Sequence, residues 1–436
     1  MQKLLLPLVL AAYSHFPAFA QTPTPSDNRS TPIATSERMV EATGPLTLAG
    51  ALDWAFKANP DIAAATREVE ALGGALRQAG IIPNLELAAS VEDTQKSTRS
   101  TTLQLNLPIE LGGKRASRQS AAERNRDAAV AELAIKRADI RAATVTAFYD
   151  VLTGQERYRL AMASIELAQR GSNAAAKRVV AGKISPVDET KARIAESSVR
   201  IELAQAGSEL ANARKRLTAL WGNTTPRFER ADGQADTLPD LPAMSELAHR
   251  LQQSPSLLRA RMEVDRRQAL TQVERARQMP DITVSVGAKR DEQVGRTQAI
   301  VGISIPIPLF DRNQGNLQEA LSRTDKARDE FAAAEARLGS DLAQAHERLH
   351  AARQEAQLLQ REILPGAQSV YDAATKGFEY GKFNFLEVLD AQRTLLQAKS
   401  QTLRALSEAH RAAAEIERIL GDASLGARQM PVATKS

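Results

Sequence analysis

The sequence predicts a mainly α-helical protein with a small β part, built from two tandem repeats. Three observations support this fold class. Most of the chain consists of Ala- and Leu-rich runs whose apolar residues recur every three or four positions, the pattern of packed helices. Four short segments alternate apolar and polar residues, as strands with one apolar face do. The second half of the chain also repeats the pattern of the first.

The composition restricts what these elements can form. Only 4% of the 436 residues are aromatic, which favours thin helical layers over one thick globular core. There is no cysteine, so disulfides, Cys-bound metals and lipidation at an N-terminal cysteine are excluded. Lys and Arg exceed Asp and Glu by five, with both signs interspersed along the predicted helices. Nucleic acid binding therefore gains little support.

The N-terminal residues have the features of an export signal. Residues 1–20 contain Lys3, an apolar run from Leu4 to Ala12 and a small-residue cleavage pattern ending at Ala20. Residues 21–45, rich in Pro, Thr and Ser, predict an extended or disordered lead-in. No later window contains the ~18 to 20 consecutive apolar residues of a transmembrane helix.

Five anchor positions align the second half of the chain with the first, at a nearly constant offset of 195 to 199 residues. The anchors are Pro60 with Pro255, Pro83 with Pro280, Pro108 with Pro306, Gly182 with Gly381, and Gly222 with Gly421. We expect a first repeat at 46–222, a linker at 223–243, a second repeat at 244–421 and a C-terminal tail at 422–436.

Each repeat is predicted to run helix, helix, strand, strand, long helix, long helix. In the first repeat the elements are expected at 47–57, 60–78, 85–91, 102–108, 114–181 and 186–220. In the second they are expected at 244–252, 255–278, 282–289, 298–305, 313–378 and 385–420. The 66 residues of 313–378 would span ~100 Å as one unbroken helix.

The stretch QAIVGISIPIPLFDRNQGN, from Gln298 to Asn316, joins the last strand to a long helix. Its alternating part predicts a strand that prolines end, and Asp311 is expected to be the N-cap of the helix that follows. Pro108 is expected to end the equivalent strand of the first repeat. The candidate strand-to-helix junction residues are Pro108, Pro306, Pro308, Phe310 and Asp311.

Two short turns, Gly182 to Glu189 and Gly381 to Asp390, are expected to join the long helices. Each begins with Gly-Lys, Gly182-Lys183 and Gly381-Lys382, where glycine can take the left-handed conformation that ends a helix. Each continues with a possible capping box, Ser185 with Asp188 and Asn384 with Glu387, and Pro186 is expected at the first helical position. Capping is the simpler interpretation of Asp188 and Glu387.

Four strands cannot close into a membrane barrel and would leave open edges. An exported coiled-coil rod would explain the helices, but it would not require strands with one apolar face. If the strands face lipid, the missing strands must come from other copies of the chain. Two, three or four copies satisfy this requirement.

The two-fold repeat, the IPIPLFDRNQGN junction and the stretch from Ile363 to Ala398 resemble the outer-membrane factor (TolC-like) family of bacterial exporters. More narrowly, PLFDRNQGN resembles the outer-membrane components of heavy-metal efflux systems of the cobalt, zinc, cadmium type. Many relatives carry a lipidated N-terminal Cys, and the absence of that residue here leaves anchoring to the barrel alone.

The resemblance implies a homotrimer in which twelve strands form one outer-membrane β-barrel and the helices form a periplasmic α-helical barrel. It implies a passive gated duct rather than an enzyme, with no cofactor. The implied partners are a periplasmic adaptor, an inner-membrane RND-type pump and outer-membrane lipid, and not nucleic acid. The alternatives are a multidrug or type I secretion duct, and a periplasmic coiled-coil adaptor or scaffold.

If three chains assemble, six helix turns meet at the far end of the tunnel. Lys191 in one repeat occupies the position of Asp390 in the other, so the two turns present opposite charges just inside the tip. We hypothesise that Asp390, with Arg393 or Lys191, helps to close a periplasmic gate and that the same turns dock the adaptor. The candidate residues are Gly182, Lys183, Asp188, Lys191, Gly381, Lys382, Glu387, Asp390 and Arg393.

No pattern of catalytic residues is apparent. Gly112 to Arg115, GGKR, lacks the upstream Gly and the following Ser or Thr of a phosphate-binding loop, so we interpret it as a strand-to-helix turn. His346 and His350 stand four apart on one helix, a spacing that could ligate a metal. Because no third ligand is evident, we interpret the pair as part of a solvated helix face and assign no metal site.

Overall fold

The structure is a computed structural model of the chain, and it describes residues 43–93, 95–233, 236–380, 382–383 and 385–421. The expected signal peptide (1–20), nearly all of the lead-in (21–45) and the expected tail (422–436) lie outside the described residues, as do Gly381 and Asn384 of the second helix turn.

The described residues follow the predicted order of elements twice. The helices are α1 (Leu48–Ala58), α2 (Pro60–Ala79), α3 (Lys114–Val180), α4 (Pro186–Ala219), α5 (Met244–Leu251), α6 (Pro255–Arg277), α7 (Gln314–Leu358), α8 (Leu364–Glu379) and α9 (Phe385–Leu420). The strands are β1 (Leu46–Thr47), β2 (Glu86–Glu92), β3 (Ser100–Ile109), β4 (Ala231–Asp232), β5 (Ile282–Asp291) and β6 (Arg296–Ser304). The long elements begin and end within two residues of their predicted bounds.

Side-chain caps fix where the shorter helices begin. The Asn59 side-chain oxygen accepts hydrogen bonds from the backbone N–H groups of Asp61 and Ile62, at 2.9 and 3.0 Å. Its amide nitrogen donates to the carbonyl of Leu220 at 2.8 Å, which ties this corner to the end of α4. Ser254 caps α6 through the N–H of Leu257. Proline follows at the first helical position of both helices, where its missing N–H costs nothing.

The long helices form two rods. Helix α3 has 67 residues, which at ~1.5 Å per residue gives ~100 Å. In the second repeat α7 continues into α8 through a π-helical turn, Leu359–Ile363, where the N–H of Leu364 bonds to the carbonyl of Leu359. The wider turn lies just before Pro365, which has no N–H to donate and whose ring would clash with a regular α-turn.

The predicted three- and four-residue spacing of α7 forms its buried seam. Leu338, Leu342, Ala345, Leu349, Ala352 and Ala356 are all buried. Most of these α7 residues belong to the core of the second repeat. That core also contains Ile416 and its neighbours on α9 and residues of α5 and α6. Phe148, Val151 and Leu217 lie in the equivalent core between α3 and α4. No helix in the described ranges is both long enough and apolar enough to span a membrane.

The four longer strands form one antiparallel sheet in the order β2-β3-β5-β6. Strands β2 and β3 form one hairpin and β5 and β6 another, and β3 and β5 pair along their whole length, from Ser100 opposite Asp291 to Ile109 opposite Ile282. This pairing joins the two repeats. Within the described residues, the outer edges of β2 and β6 have no strand partner.

The sheet has one apolar and one polar face. The register places Leu105 opposite Val286 and Val284 opposite Ile303 on the apolar face. That face is open to its surroundings: Ile303 is 70% exposed. The polar face brings Asn106 opposite Ser285, among other polar pairs. Exposure of so many contiguous large apolar side chains indicates a surface that another apolar phase or partner covers.

The described part of the predicted linker, 223–243, packs onto both repeats, with Leu238 and Leu241 against the core of the second. It contains β4, which pairs in parallel with β1, and this small sheet was not predicted. Phe228 and Ala231 are buried in the core that also contains Phe148. Gln155 of α3 fixes β4 by hydrogen bonds to both the N–H and the carbonyl of Ala231.

We expect Leu342→Ala to lower the free energy of unfolding by about 2–5 kcal/mol, because Leu342 is fully buried and its truncation leaves a cavity. Leu321→Ala on the same helix is the control, since Leu321 is 41% exposed. Denaturant unfolding followed by circular dichroism measures both. Equal losses for the two variants would contradict the position of Leu342 in the core.

Candidate gate at the helix turns and strand-to-helix junctions

The first helix turn has the geometry that its Gly-Lys sequence predicts. Gly182 has a φ of +66°, and its N–H bonds to the carbonyl of Val179 at 2.9 Å. The N–H of Lys183 bonds to the carbonyl of Arg178 at 2.8 Å. Together these two bonds form a Schellman motif, in which glycine takes the left-handed position at no steric cost.

Helix α4 then begins with the predicted cap, although the capping box is incomplete. The Ser185 hydroxyl accepts from the N–H of Val187 at 3.2 Å, and Pro186 is the first helical residue. The Asp188 carboxylate lies 3.9 Å from the Lys191 ammonium on the next turn, and not on the N–H of Ser185. Asp188 therefore forms an exposed ion pair with Lys191 instead of completing the capping box.

The described part of the second turn resembles the first. The N–H of Lys382 bonds to the carbonyl of Gly377 at 2.8 Å, the same six-residue closure that Lys183 makes. Phe383 packs over Gly377, since a Cβ at this glycine would lie 2.2 Å from the Phe383 ring. Gly377 is thus required for close packing at the tip, a feature that the sequence analysis did not identify. Predicted residues Gly381 and Asn384 lie outside the described residues.

A contact between the two turns holds them side by side. The Arg178 guanidinium carbon of α3 lies 4.7 Å from the centre of the Phe378 ring of α8, a cation–π geometry. Both residues lie within one turn of a helix end. The contact joins residues 200 positions apart, so sequence spacing gave no signal for it.

The remaining predicted tip residues are exposed and close to the turns. Glu387 lies in the first turn of α9, where a carboxylate suits the helix dipole. Asp390 and Arg393 are exposed, as is Lys191 on α4. The tips also expose apolar side chains, with Val180 at 91% and Tyr380 at 79%. Such a surface can accept a partner through both charge and apolar contact.

Two of the five predicted junction residues behave differently from expectation. Asp311 is not the N-cap of α7: the helix begins at Gln314, and Asn313, with a φ of +58°, is the N-cap. The Asp311 carboxylate instead accepts a hydrogen bond from the backbone N–H of Asn313 at 2.9 Å. The side-chain amide of Asn313 donates a hydrogen bond to the carboxylate of Glu274 on α6 at 2.8 Å. Asn tolerates the left-handed conformation that this bend requires, as Gly113 does in the first repeat.

Pro108 does not end its strand. Pro108 lies inside β3, where it pairs with Thr283 of β5, and β3 continues to Ile109. Strand β2 pairs no further than Asn106, so one side of β3 is already unpaired at Pro108 and its missing N–H is tolerated. Pro306 and Pro308 do follow the end of β6, and Phe310 is 90% exposed beside them.

The GGKR segment forms a tight strand-to-helix turn, as predicted. Gly112 and Gly113 both have positive φ, and a Cβ at Gly112 would lie 2.7 Å from the Cβ of Met279. Lys114 then binds Asp281 at 2.7 Å, and the N–H of Leu111 bonds to the same carboxylate. Asp281 therefore connects the junctions of the two repeats.

Charged side chains also join the repeats midway along the rods, between α3 and α9. Arg141 lies 3.4 Å from Glu417, which is only 5% exposed, and Arg418 lies 3.3 Å from Asp139. Arg418 holds the pKa of Glu415 below its usual value through a close hydrogen bond. Because the burial of Glu417 removes it from water, loss of Arg141 would be costly.

His410 lies buried beside this charged contact. Its ring stacks on Tyr149 with centres 3.6 Å apart, and its Nε2–H donates to the carbonyl of Thr237 at 2.8 Å. Burial lowers the pKa of His410 to about 4, and the same burial, with the nearby Glu417 carboxylate, raises the pKa of Tyr149. A neutral histidine thus connects α9, α3 and the linker.

The two histidines considered as metal ligands have other contacts. His346 Nε2 lies 3.1 Å from the carbonyl of Pro242, and His350 Nε2 lies 3.2 Å from the side-chain nitrogen of Gln354. In the part of the chain that the structure describes, no group of three or more metal-binding side chains comes together.

The sequence profile of the outer membrane efflux protein family matches residues 51–223 and again residues 247–422. The chain belongs to this family. Its members are channels rather than enzymes, and the two matches follow the two-fold repeat of the structure.

Individual relatives match most of the chain. The chain is 50% identical to the cobalt-zinc-cadmium resistance protein CzcC of Cupriavidus metallidurans, over 97% of this chain and 100% of that protein. It is 29% identical to the nickel-cobalt-cadmium resistance protein NccC of Alcaligenes xylosoxydans xylosoxydans, over 72% of each. The Campylobacter jejuni CmeC outer membrane channel has the same fold, with a TM-score of 0.74 at 16% identity over 86% of this chain and 85% of that one.

We expect this family member to lose stability as the pH falls from about 6.5 to about 4. In that interval His410 of the unfolded chain takes up a proton while the folded, buried ring does not, so protonation favours unfolding, by on the order of 3 kcal/mol in total. His410→Gln should flatten this part of the pH profile, measured by denaturant unfolding at each pH. His249→Gln, at an exposed histidine, is the control. An unchanged slope in His410→Gln would contradict the assignment.

Proposed function

We propose that this protein is the outer-membrane channel of a tripartite efflux system that exports divalent heavy-metal cations such as cobalt, zinc and cadmium. The observation that carries the proposal is the 50% sequence identity, over 97% of this chain, with a cobalt-zinc-cadmium resistance protein. The nickel, cobalt and cadmium relative supports the same class of cargo. The channel is a passive duct, and an inner-membrane RND-type pump and a periplasmic adaptor supply energy and cargo.

The sheet supports assembly into a trimer. Its open edges at β2 and β6 leave a row of backbone groups that lipid cannot satisfy, and its apolar face is exposed. When β6 of one chain pairs with β2 of the next, three copies close a barrel of twelve strands. The apolar face then contacts outer-membrane lipid and the polar face lines the pore. The long helices continue the tunnel into the periplasm.

The helix turns at the far end of the rods are the gate and the adaptor-docking rim. The contact of Arg178 with Phe378 keeps the two turns of one chain together, so they move as a unit. Asp390 and Arg393 lie exposed just behind one turn, and the Asp188–Lys191 pair lies behind the other. In the trimer, Asp390 pairs with Arg393 or Lys191 and biases the turns towards closure. Such exposed pairs are weak, so adaptor contact can shift the balance.

Deletion of the gene tests the cargo. Growth should fall on zinc, cobalt or cadmium and recover with a plasmid copy, because the ions then lack a route through the outer membrane. Growth on dyes and detergents is the control. Sensitivity to dyes and detergents with normal metal tolerance would instead identify a multidrug duct, and a protein that salt washes from the membrane would identify a periplasmic scaffold.

Asp390→Ala tests the gate. We expect a higher time-averaged conductance of single channels in planar bilayers. An exposed ion pair is worth up to ~1 kcal/mol, so each pair lost should raise the population of the open state by up to about fivefold. Asp329→Ala is the matched control, because Asp329 is exposed on α7 and forms no ion pair in the described chain. Native mass measurement establishes that each variant is a trimer. An assembled Asp390→Ala trimer with native conductance would remove Asp390 from the gate.

A further inference from the structure

An apolar collar surrounds the strand-to-helix junctions. Outside the paired strands, large apolar side chains remain exposed between the sheet and the helices: Ile81, Ile82, Met279, Ile307, Leu309 and Phe310. They extend the apolar face of the sheet towards the helix ends, since Ile305 and Leu85 continue the alternation of β6 and β2. The collar is therefore continuous with the surface that the proposed function assigns to lipid.

Each of the four helix ends that meet the sheet carries an exposed arginine without an ion pair in the described residues. Arg77 and Arg275 lie in the last turns of α2 and α6, Arg115 is the second residue of α3, and Arg312 immediately precedes the N-cap of α7. None of the four forms an ion pair or a side-chain hydrogen bond within the described residues. Neighbouring basic residues are paired: Lys114 with Asp281, Arg118 with Glu110 and Arg277 with Glu274.

Two of these arginines are unfavourable for the helices themselves. Arg115 and Arg312 lie at helix N-termini, where the dipole disfavours a cation, and neither α3 nor α7 has an acidic residue in its first turn. At the opposite end of the rods α4 begins with Asp188 and Glu189, and α9 with Glu387. Arg77 and Arg275, in the last turns of α2 and α6, suit the helix dipole, but Arg115 and Arg312 are explained neither by the dipole nor by an ion pair within the described residues.

We propose that the collar sits in the periplasmic leaflet of the outer membrane and that Arg77, Arg115, Arg275 and Arg312 bind the phosphates of anionic phospholipids there. The inference rests on the proposed function, because it requires the apolar sheet face to lie in lipid. Apolar side chains beside long cationic ones match the boundary between acyl chains and headgroups, where arginine extends its charge to the phosphates. A trimer would carry twelve such arginines in one ring.

Vesicle flotation tests this inference. The purified trimer is diluted from detergent into vesicles of phosphatidylcholine alone or of phosphatidylcholine with phosphatidylglycerol, and the bound fraction is measured at low and high salt. The test variant combines Arg77→Gln, Arg115→Gln, Arg275→Gln and Arg312→Gln. The control combines Arg137→Gln, Arg337→Gln, Arg361→Gln and Arg404→Gln, four exposed arginines on the rods away from the junctions.

The native trimer and the control should prefer the anionic vesicles by at least about fivefold at low salt, the factor expected for one basic residue near an anionic surface. The test variant should lose that preference. Equal preference in the test variant and the control would overturn the inference, and so would loss of the trimer, which would assign the arginines to subunit contacts. Suppression of the preference by inorganic phosphate alone would show a free-anion site instead. Failure of the native protein to float with either vesicle would overturn the proposed function as well.

Discussion

Backbone hydrogen bonding in the four-stranded sheet is the constraint on which the rest of the structure depends. The ten-residue pairing of β3 with β5 joins the two repeats and fixes the register that gathers apolar side chains on one face. Gly287 permits this pairing, since a Cβ there would lie 2.5 Å from the carbonyl oxygen of Leu103. The sheet leaves β2 and β6 unpaired in the described chain, and a sheet with one large exposed apolar face and two open edges is incomplete alone.

The two repeats also contact each other at two further levels along the rods. Next to the sheet, Asp281 of the second repeat binds Lys114 of the first. Midway, α3 and α9 meet through Arg141 with Glu417 and through the stack of Tyr149 on His410. Between these polar contacts α3 packs against α6 and α9 of the second repeat, and Ala142 and Val145 of α3 share a buried cluster with Ala414 of α9. Polar contacts that are partly buried set the register of one repeat against the other.

Much of the fold could be predicted because its signals are local. Helical spacing, strand alternation, Gly-Lys turns and proline positions gave the order of the long elements and nearly all of their bounds. Asp311 and Pro108 were interpreted wrongly because their roles depend on neighbours distant in sequence: Glu274 holds the Asn313 cap, and β2 ends its pairing before Pro108. Arg178 with Phe378 and Tyr149 with His410 gave no sequence signal at all, because tertiary packing alone brings them together. The opposing charges of Lys191 and Asp390 were visible in the sequence, whereas the ion pair that Lys191 forms within the chain is with Asp188.

The two ends of the rods differ in chemistry, and the difference agrees with the contacts that we propose for each end. At the turns, the first turns of α4 and α9 carry carboxylates that suit the helix dipole, and the ion pairs there are exposed and weak. At the sheet, α3 and α7 begin without acidic residues, left-handed Gly113 and Asn313 replace side-chain caps, and arginines that form no ion pair within the described residues accompany exposed apolar residues. Under the proposed function the turn end opens and closes, which needs marginal contacts that a partner can outcompete. The sheet end, which we propose lies in the membrane, would need a permanent boundary between apolar and charged surroundings, and lipid headgroups would stabilise the locally unfavourable charge there.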